Sequence, residues 1–203
     1  MPGSNSAVLF ADAGRPVASF QAFTSSGSDL TTYTFAGAAI GTAAGDRYVV
    51  VMPTSIVVGT ATISSVTVGG VTATILVQVA NGTRGVAGAA IALVPTGTTG
   101  DIVVTYSTGQ IRAGVGVWAC YGLQSPIARD TATSTTDPHN LNIDVINSGI
   151  IIACAVDNSG LGGGSTPTGI TERYDTTDPD GDSHAGGDYT GGATEAPRTV
   201  TID

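Results

Sequence analysis

Lysine is missing altogether: the seven basic residues, at positions 15, 47, 84, 112, 129, 173 and 198, are all arginine, and they face sixteen acids for a formal net charge of -9. A protein that neutralises phosphates needs a basic stripe, and these arginines never cluster, so no nucleic-acid partner is expected. Docking on an anionic membrane surface is disfavoured on the same ground. Aromatic residues are scarce too, at 5% of a chain that is 41% hydrophobic and carries 29 glycines. The core must therefore be built from Val, Ile and Ala, side chains that suit close-packed sheets. No segment approaches 18 uninterrupted apolar residues, which gives no membrane-spanning helix. The start, Met1-Pro2-Gly3-Ser4-Asn5-Ser6, lacks the basic and apolar regions of an export signal, so synthesis in the cytoplasm of a soluble product is expected. Only two cysteines occur, Cys120 and Cys154, each inside an apolar run. Without an export signal they read as buried free thiols rather than a disulfide.

What is present is a period of two. It begins after residue 29: Thr31-Thr32-Tyr33-Thr34-Phe35 alternates polar and aromatic, as a strand with one wet face does. Arg47-Tyr48-Val49-Val50-Val51-Met52 is apolar on both faces and marks a central strand. Val66-Thr67-Val68, Gly69-Gly70 and Val71-Thr72-Ala73 read as a hairpin on a two-residue glycine turn, with Val68 opposite Val71 and Thr67 opposite Thr72. The same face is expected to continue through Ile75, Val77 and Val79. Further strands are expected at 86–94, 102–106, 111–121, 141–146, 150–156, 170–174 and 199–202. In the run 111–121, Gly114 and Gly116 precede Trp118 on one face and read as room for the lone tryptophan or for a neighbouring sheet. A glycine-rich loop is expected at 158–168 and an acidic, solvated one at 175–188. No segment has the pattern of an amphipathic helix.

About ten short strands with glycine turns predict an all-β fold, an antiparallel β-sandwich with a jelly-roll-like character, since a parallel sheet would need helical crossovers. Residues 1–29 carry no clear period, yet they hold Leu9, Phe10, Phe20 and Phe23 among small residues. They read as an extended N-terminal arm on a single sandwich domain of residues 30–203. Apolar side chains on an arm want a surface to cover, which makes these four residues the candidate assembly interface.

Chemistry has few places to reside. The acidic run of Asp175, Asp178, Asp180, Asp182, His184 and Asp188 has carboxylates that a calcium ion wants, and the first three alternate positions from Asp178 match an EF-hand opening. The remainder does not match: glycine stands at the fourth place instead of the sixth, and Tyr189 stands where a bidentate Glu is needed. His139 and His184 are the only histidines, and no nucleophile elbow, His-Glu-x-x-His or Cys-x-x-Cys motif accompanies them. Glu172 and Glu195 are the only glutamates, which leaves no evident acid pair for glycoside hydrolysis. A non-enzymatic chain without cofactor or metal is expected.

The stretches Tyr33-Thr34-Phe35-Ala36-Gly37, Gly45-Asp46-Arg47-Tyr48-Val49-Val50-Val51, Ser65-Val66-Thr67-Val68-Gly69-Gly70-Val71 and Gly116-Val117-Trp118 resemble the β-sandwich virion proteins of tailed bacteriophages. The likeness spans roughly residues 30–157 and is one of texture, with Thr/Val/Gly strands and scarce lysine. It implies a structural virion protein: a capsid decoration (cement) protein on the outer surface of the head, made in the host cytoplasm. Its implied partners are the major capsid protein and copies of itself, with a trimer suggested by analogy. The alternative is a tail-fibre or receptor-binding module whose loops at 122–140 and 158–192 recognise a host surface glycan.

Overall fold

The structure is a computed structural model that describes residues 3–10, 16–57, 59–82, 84–157, 167–178 and 181–202. Among them there is no helix, and all sheet pairings are antiparallel. In chain order the strands are β1 (Ser4–Phe10), β2 (Val17–Ser26), β3 (Leu30–Ala39), β4 (Tyr48–Ile56), β5 (Ile63–Val68), β6 (Val71–Thr72), β7 (Thr74–Asn81) and β8 (Gly85–Leu93). They continue with β9 (Thr99–Gln110), β10 (Arg112–Tyr121), β11 (Asp130–Ser134), β12 (His139–Val145), β13 (Ile150–Asp157), β14 (Thr171–Thr177), β15 (Ser183–Thr190) and β16 (Glu195–Ile202).

These strands form four sheets stacked as layers. Outer sheet I has the order β3-β9-β5-β6, inner sheet II is β2-β10-β4-β8-β7, inner sheet III is β11-β1-β13-β15-β14, and outer sheet IV is the pair β12-β16. Three apolar cores separate them. Between I and II lie Tyr33, Phe35, Val66, Ile102 and Val104 against Val49, Val51, Val115 and Val117. Between II and III, Val50, Met52, Ile91 and Trp118 meet Val8, Phe10, Ile150 and Ile152. Between III and IV, Leu9, Ile151 and Ala153 meet Leu141, Ile143 and Val200.

The layering explains the sequence texture. A strand of an inner sheet is buried on both faces, so β4, β8, β10 and β13 are near-continuous runs of Val, Ile and Ala, whereas β12 of an outer sheet alternates strictly between buried and exposed. The expected central strand at residue 47 is β4, in the middle of sheet II. The expected hairpin is present as β5 and β6, with Thr67 opposite Thr72 and Val68 opposite Val71. Beyond it the expectation fails: after Ala73, whose N–H donates to the Val66 carbonyl, the chain leaves sheet I, and β7 pairs with β8 in sheet II. The turn chemistry fixed the hairpin but not where the next strand would go.

The N-terminal arm is corrected. Residues 4–10 form β1, which lies inside sheet III between β11 and β13, with every residue from Ser4 to Phe10 buried. Residues 17–26 form β2, which edges sheet II along β10. Neither strand announces itself, because Ser4-Asn5-Ser6 is polar and β2 has no clean alternation. The interior hydroxyls are matched nonetheless: Ser4 Oγ donates to the Gly85 carbonyl at 3.0 Å and Ser6 Oγ to that of Ala87 at 3.1 Å. The glycine-rich loop expected at 158–168 falls largely outside the described residues.

Candidate functional site

The four residues read as an assembly interface bury against their own chain. Leu9 packs in the core between sheets III and IV, and Phe10 in the core between II and III, both with 0% exposure. Phe20 and Phe23 are half-buried against the same middle core. Three residues apart on a strand, they would normally face opposite sides. A register shift opposite Val117 and Trp118 pairs Phe20 with Trp118 and Phe23 with Gly116, so an extra residue on β2 brings both rings to one face.

There they meet an aromatic group. Phe20 lies 5.1 Å from Trp118, and Phe23 stacks on Tyr174 at 4.4 Å between ring centroids. The glycines of β10 make the room: a Cβ at Gly114 would stand 2.7 Å from the Phe23 ring, and one at Gly116 would stand 2.7 Å from Trp118 and 2.8 Å from Tyr174. Gly186, across Tyr174, is as tight, at 2.5 Å. The space read from Gly114 and Gly116 is thus filled both by the tryptophan and by rings from neighbouring strands.

At the polar ends of this aromatic group lies a cluster of ionisable side chains. Trp118 Nε1 donates to Asp188 Oδ2 at 2.7 Å, and Arg173 grips the same carboxylate through Nε at 2.7 Å and Nη2 at 2.8 Å. That carboxylate raises the pKa of the Arg173 guanidinium above its ordinary value. Nearby, His184 is fully buried on β15, its Nδ1 2.8 Å from Thr54 Oγ1 and its Nε2 3.6 Å from Asp178 Oδ2. Arg112 joins Asp178 to Asp182, with Nε 3.6 Å from one carboxylate and Nη1 2.5 Å from the other.

Hydroxyl, imidazole and carboxylate therefore follow one another as in a nucleophile relay, but Thr54 and His184 have 0% exposure and the ring is covered by Phe23 at 5.4 Å. A relay needs an approach for its substrate. In this closed setting the series acts as a polar tie between β4 of sheet II and β15 of sheet III. The acidic stretch that the sequence reads as solvated is consequently drawn inward: Asp178, Asp182 and Asp188 are 5%, 4% and 4% exposed. Asp180 lies outside the described residues. Among the described residues, no group of three or more His, Cys, Asp or Glu is placed to hold a metal ion.

His139 stands apart, on the other side of sheet III, at the start of β12. With Asp137, Asp157 and Ser183 it lines a cavity of about 20 Å³, room for roughly one water molecule. Cys120 and Cys154 are free and buried on facing sheets, as expected. Burial pushes the Cys154 thiol up to about 12 and the Cys120 thiol higher still, so neither presents a thiolate.

Two further features went unread in the sequence. Arg47, fully buried, donates from Nε to the Val94 carbonyl at 2.7 Å, from Nη1 to those of Gly41 and Gly97 at 2.6 and 2.8 Å, and from Nη2 to Thr96 at 2.7 Å. The only hint was an arginine opening an apolar run. At the border of sheets III and IV, an open groove of about 590 Å³ is lined by Arg129, Asp130, Asp144, Glu195 and their neighbours. Its Glu195 is held by Tyr189 Oη at 2.8 Å and by both carboxylate contacts of Arg198, whose guanidinium lies 3.6 Å over the Tyr189 ring. The Tyr189 hydroxyl and then Arg198 lower the Glu195 carboxyl below its ordinary pKa.

Comparison with protein-family models finds no matching family, and comparisons with curated proteins and with solved structures find no match either.

Proposed function

We propose that the chain is a non-enzymatic structural protein of a tailed-phage virion, a decoration protein that binds and stabilises the head. The observation that carries the reading is where the polar chemistry sits. The arginine and histidine arrangements with the best geometry, at Arg47 and at His184, tie layers and loops together in the interior. The outward faces carry pairs of hydroxyl and amide side chains. On sheet I, Thr32 Oγ1 meets Thr105 Oγ1 at 3.1 Å; on sheet IV, Thr199 and Thr201 donate to the Asn142 and Asn140 side chains at 2.8 Å each. Layers tied together from inside, with hydroxyl and amide pairs on their outer faces, suit a protein that bears load on a shell, and the resemblance in Thr/Val/Gly texture to phage virion proteins points the same way.

The partners in this reading are the major capsid protein and further copies of the chain, with neither nucleic acid nor membrane involved. Incubation of the purified protein with undecorated heads, followed by sedimentation and electron microscopy, tests it. Regular added density on the outer surface is expected, and unchanged heads would refute it. The groove at Arg129, Asp130, Asp144 and Glu195 favours a second reading, a tail-fibre module that recognises a host glycan, because polar side chains converge there beside the loop of residues 122–140. Binding on a glycan array that is lost in Asp144→Ala would move the assignment to the tail.

A further inference from the structure

Asparagine occurs at positions 5, 81, 140, 142, 147 and 158, and only Asn81 is followed by glycine. That pair ends β7 and opens the turn into β8, where the Arg84 N–H donates to the Asn81 carbonyl at 2.9 Å. Gly82 is exposed with φ at +50°, and a Cβ built on it would meet nothing within 4 Å. The turn thus stands in open space, and the glycine nitrogen carries no side chain beside it to hinder an approach. The other asparagines differ. Asn5 is closed inside β1; Asn140 and Asn142 alternate along β12 with buried Leu141 and Ile143, and their side-chain oxygens accept from Thr201 and Thr199 at 2.8 Å each. Asn147 precedes Ser148, and Asn158 lies outside the described residues. The Asn81 side chain also has a structural task. Its Nδ2 donates to the Gly3 carbonyl at 3.1 Å, and Ser4 Oγ donates to that of Gly85 at 3.0 Å, so both ends of the β7–β8 turn are fastened to the start of β1. Gly3 has no slack on its other side, where a Cβ would stand 1.9 Å from the Val156 carbonyl oxygen.

We infer that Asn81-Gly82 is a site of spontaneous deamidation, and that the change unfastens the start of β1 from sheet II. In the reaction the Gly82 backbone nitrogen attacks Asn81 Cγ. The new C–N bond closes a succinimide ring, the Cγ–Nδ2 bond breaks, and the amide group leaves as ammonia with the proton from the glycine nitrogen. Water then opens the ring at one carbonyl or the other. The product is aspartate on the ordinary backbone, or isoaspartate with the chain running through the side-chain carbon. Water is the only co-reactant, and no electron changes hands. Either product carries a carboxylate where the amide donor stood. It has no hydrogen for the Gly3 carbonyl at neutral pH and sets a negative charge against that oxygen, so a buried acceptor loses its partner. Gly3, wedged against Val156, has no room to retreat. The inference stands on this turn alone and holds or fails independently of the virion reading.

The test is to hold the native wild-type chain at pH 8, sample it over weeks, and map each sample by trypsin digestion and mass spectrometry. Cleavage after Arg47 and Arg84 releases residues 48–84, a peptide whose one asparagine is Asn81. Replacement of the amide by an acid is expected there severalfold faster than at any other asparagine, with isoaspartate in excess of aspartate. The converted fraction, separated by anion exchange, is expected to exchange the amide hydrogens of residues 4–7 faster than the unconverted one and to unfold at a lower urea concentration. The Asn81→Asp variant, which has the charge without the altered backbone, is expected to show the same faster exchange. Conversion at Asn81 no faster than elsewhere, or seen only after denaturation, overturns the site. Unchanged exchange at residues 4–7 in both the converted fraction and the variant overturns its effect on β1.

Discussion

Arg47 does the work of several loop contacts. Its four hydrogen bonds to backbone carbonyls join the segment before β4 to the segment after β8, and the charge has no exposure to water. Arg47→Met leaves those carbonyls without their donor, and a loss of about 3–5 kcal/mol is expected from urea unfolding. Arg47→Lys is not a rescue, since one ammonium cannot reach four acceptors spread around a planar fork. Gly116→Ala is expected to cost about 1–3 kcal/mol by overpacking, read as a lower melting temperature with altered Trp118 fluorescence, because the new Cβ meets two rings. Titration acts at the alkaline end. Burial raises the pKa of Cys120, Cys154, Tyr106 and Tyr174, so the folded state holds these protons more tightly than the unfolded chain. The stability they contribute is complete below the unfolded thiol range, at about 8.5, and is lost as pH rises toward the folded values. Urea midpoints that fall between pH 9 and 11 while staying level from 7 to 8 would show it. A thiol reagent at pH 8 is expected to leave the native chain unlabelled and to modify both cysteines after unfolding.

Among the elements, β1 has the largest consequence. Deletion of residues 2–10 is expected to abolish folding of sheets III and IV, seen as loss of near-ultraviolet dichroism, because β11 and β13 lose the strand between them. The milder Leu9→Ala is expected to cost about 2–5 kcal/mol. How well an element could be read depended on how many of its faces were buried and by what. β4 and β13 were legible as continuous apolar runs, and the β5–β6 hairpin as matched faces around two glycines. By contrast β15, Ser-His-Ala-Gly-Gly-Asp-Tyr-Thr, has no apolar period; it is buried because Gly186 and Gly187 lie under Tyr174 and Thr171 while Asp188 and His184 find partners on other strands. Local sequence cannot show such partners. The four apolar residues of the first segment, read as an assembly interface, cover a surface of their own chain.

At the scale of the molecule, two inner sheets share the middle core, so neither half presents a finished surface without the other. A single cooperative unfolding transition is expected in spite of the two contiguous halves. Hydrogen exchange should be slowest in β4, β10 and β13, which are paired on both edges within the inner sheets, and faster in β7 and β14 at the sheet edges. A separate early transition reported by Trp118 would show instead that the halves melt apart. The placement of β1 also fixes a timetable for the nascent polypeptide. The strand at residues 4–10 has its lateral neighbours at residues 130–134 and 150–157, and at roughly 5–20 residues per second those are made on the order of ten seconds after it. Residues 4–10 stay unenclosed for that interval, so their burial is a late event in the making of sheet III.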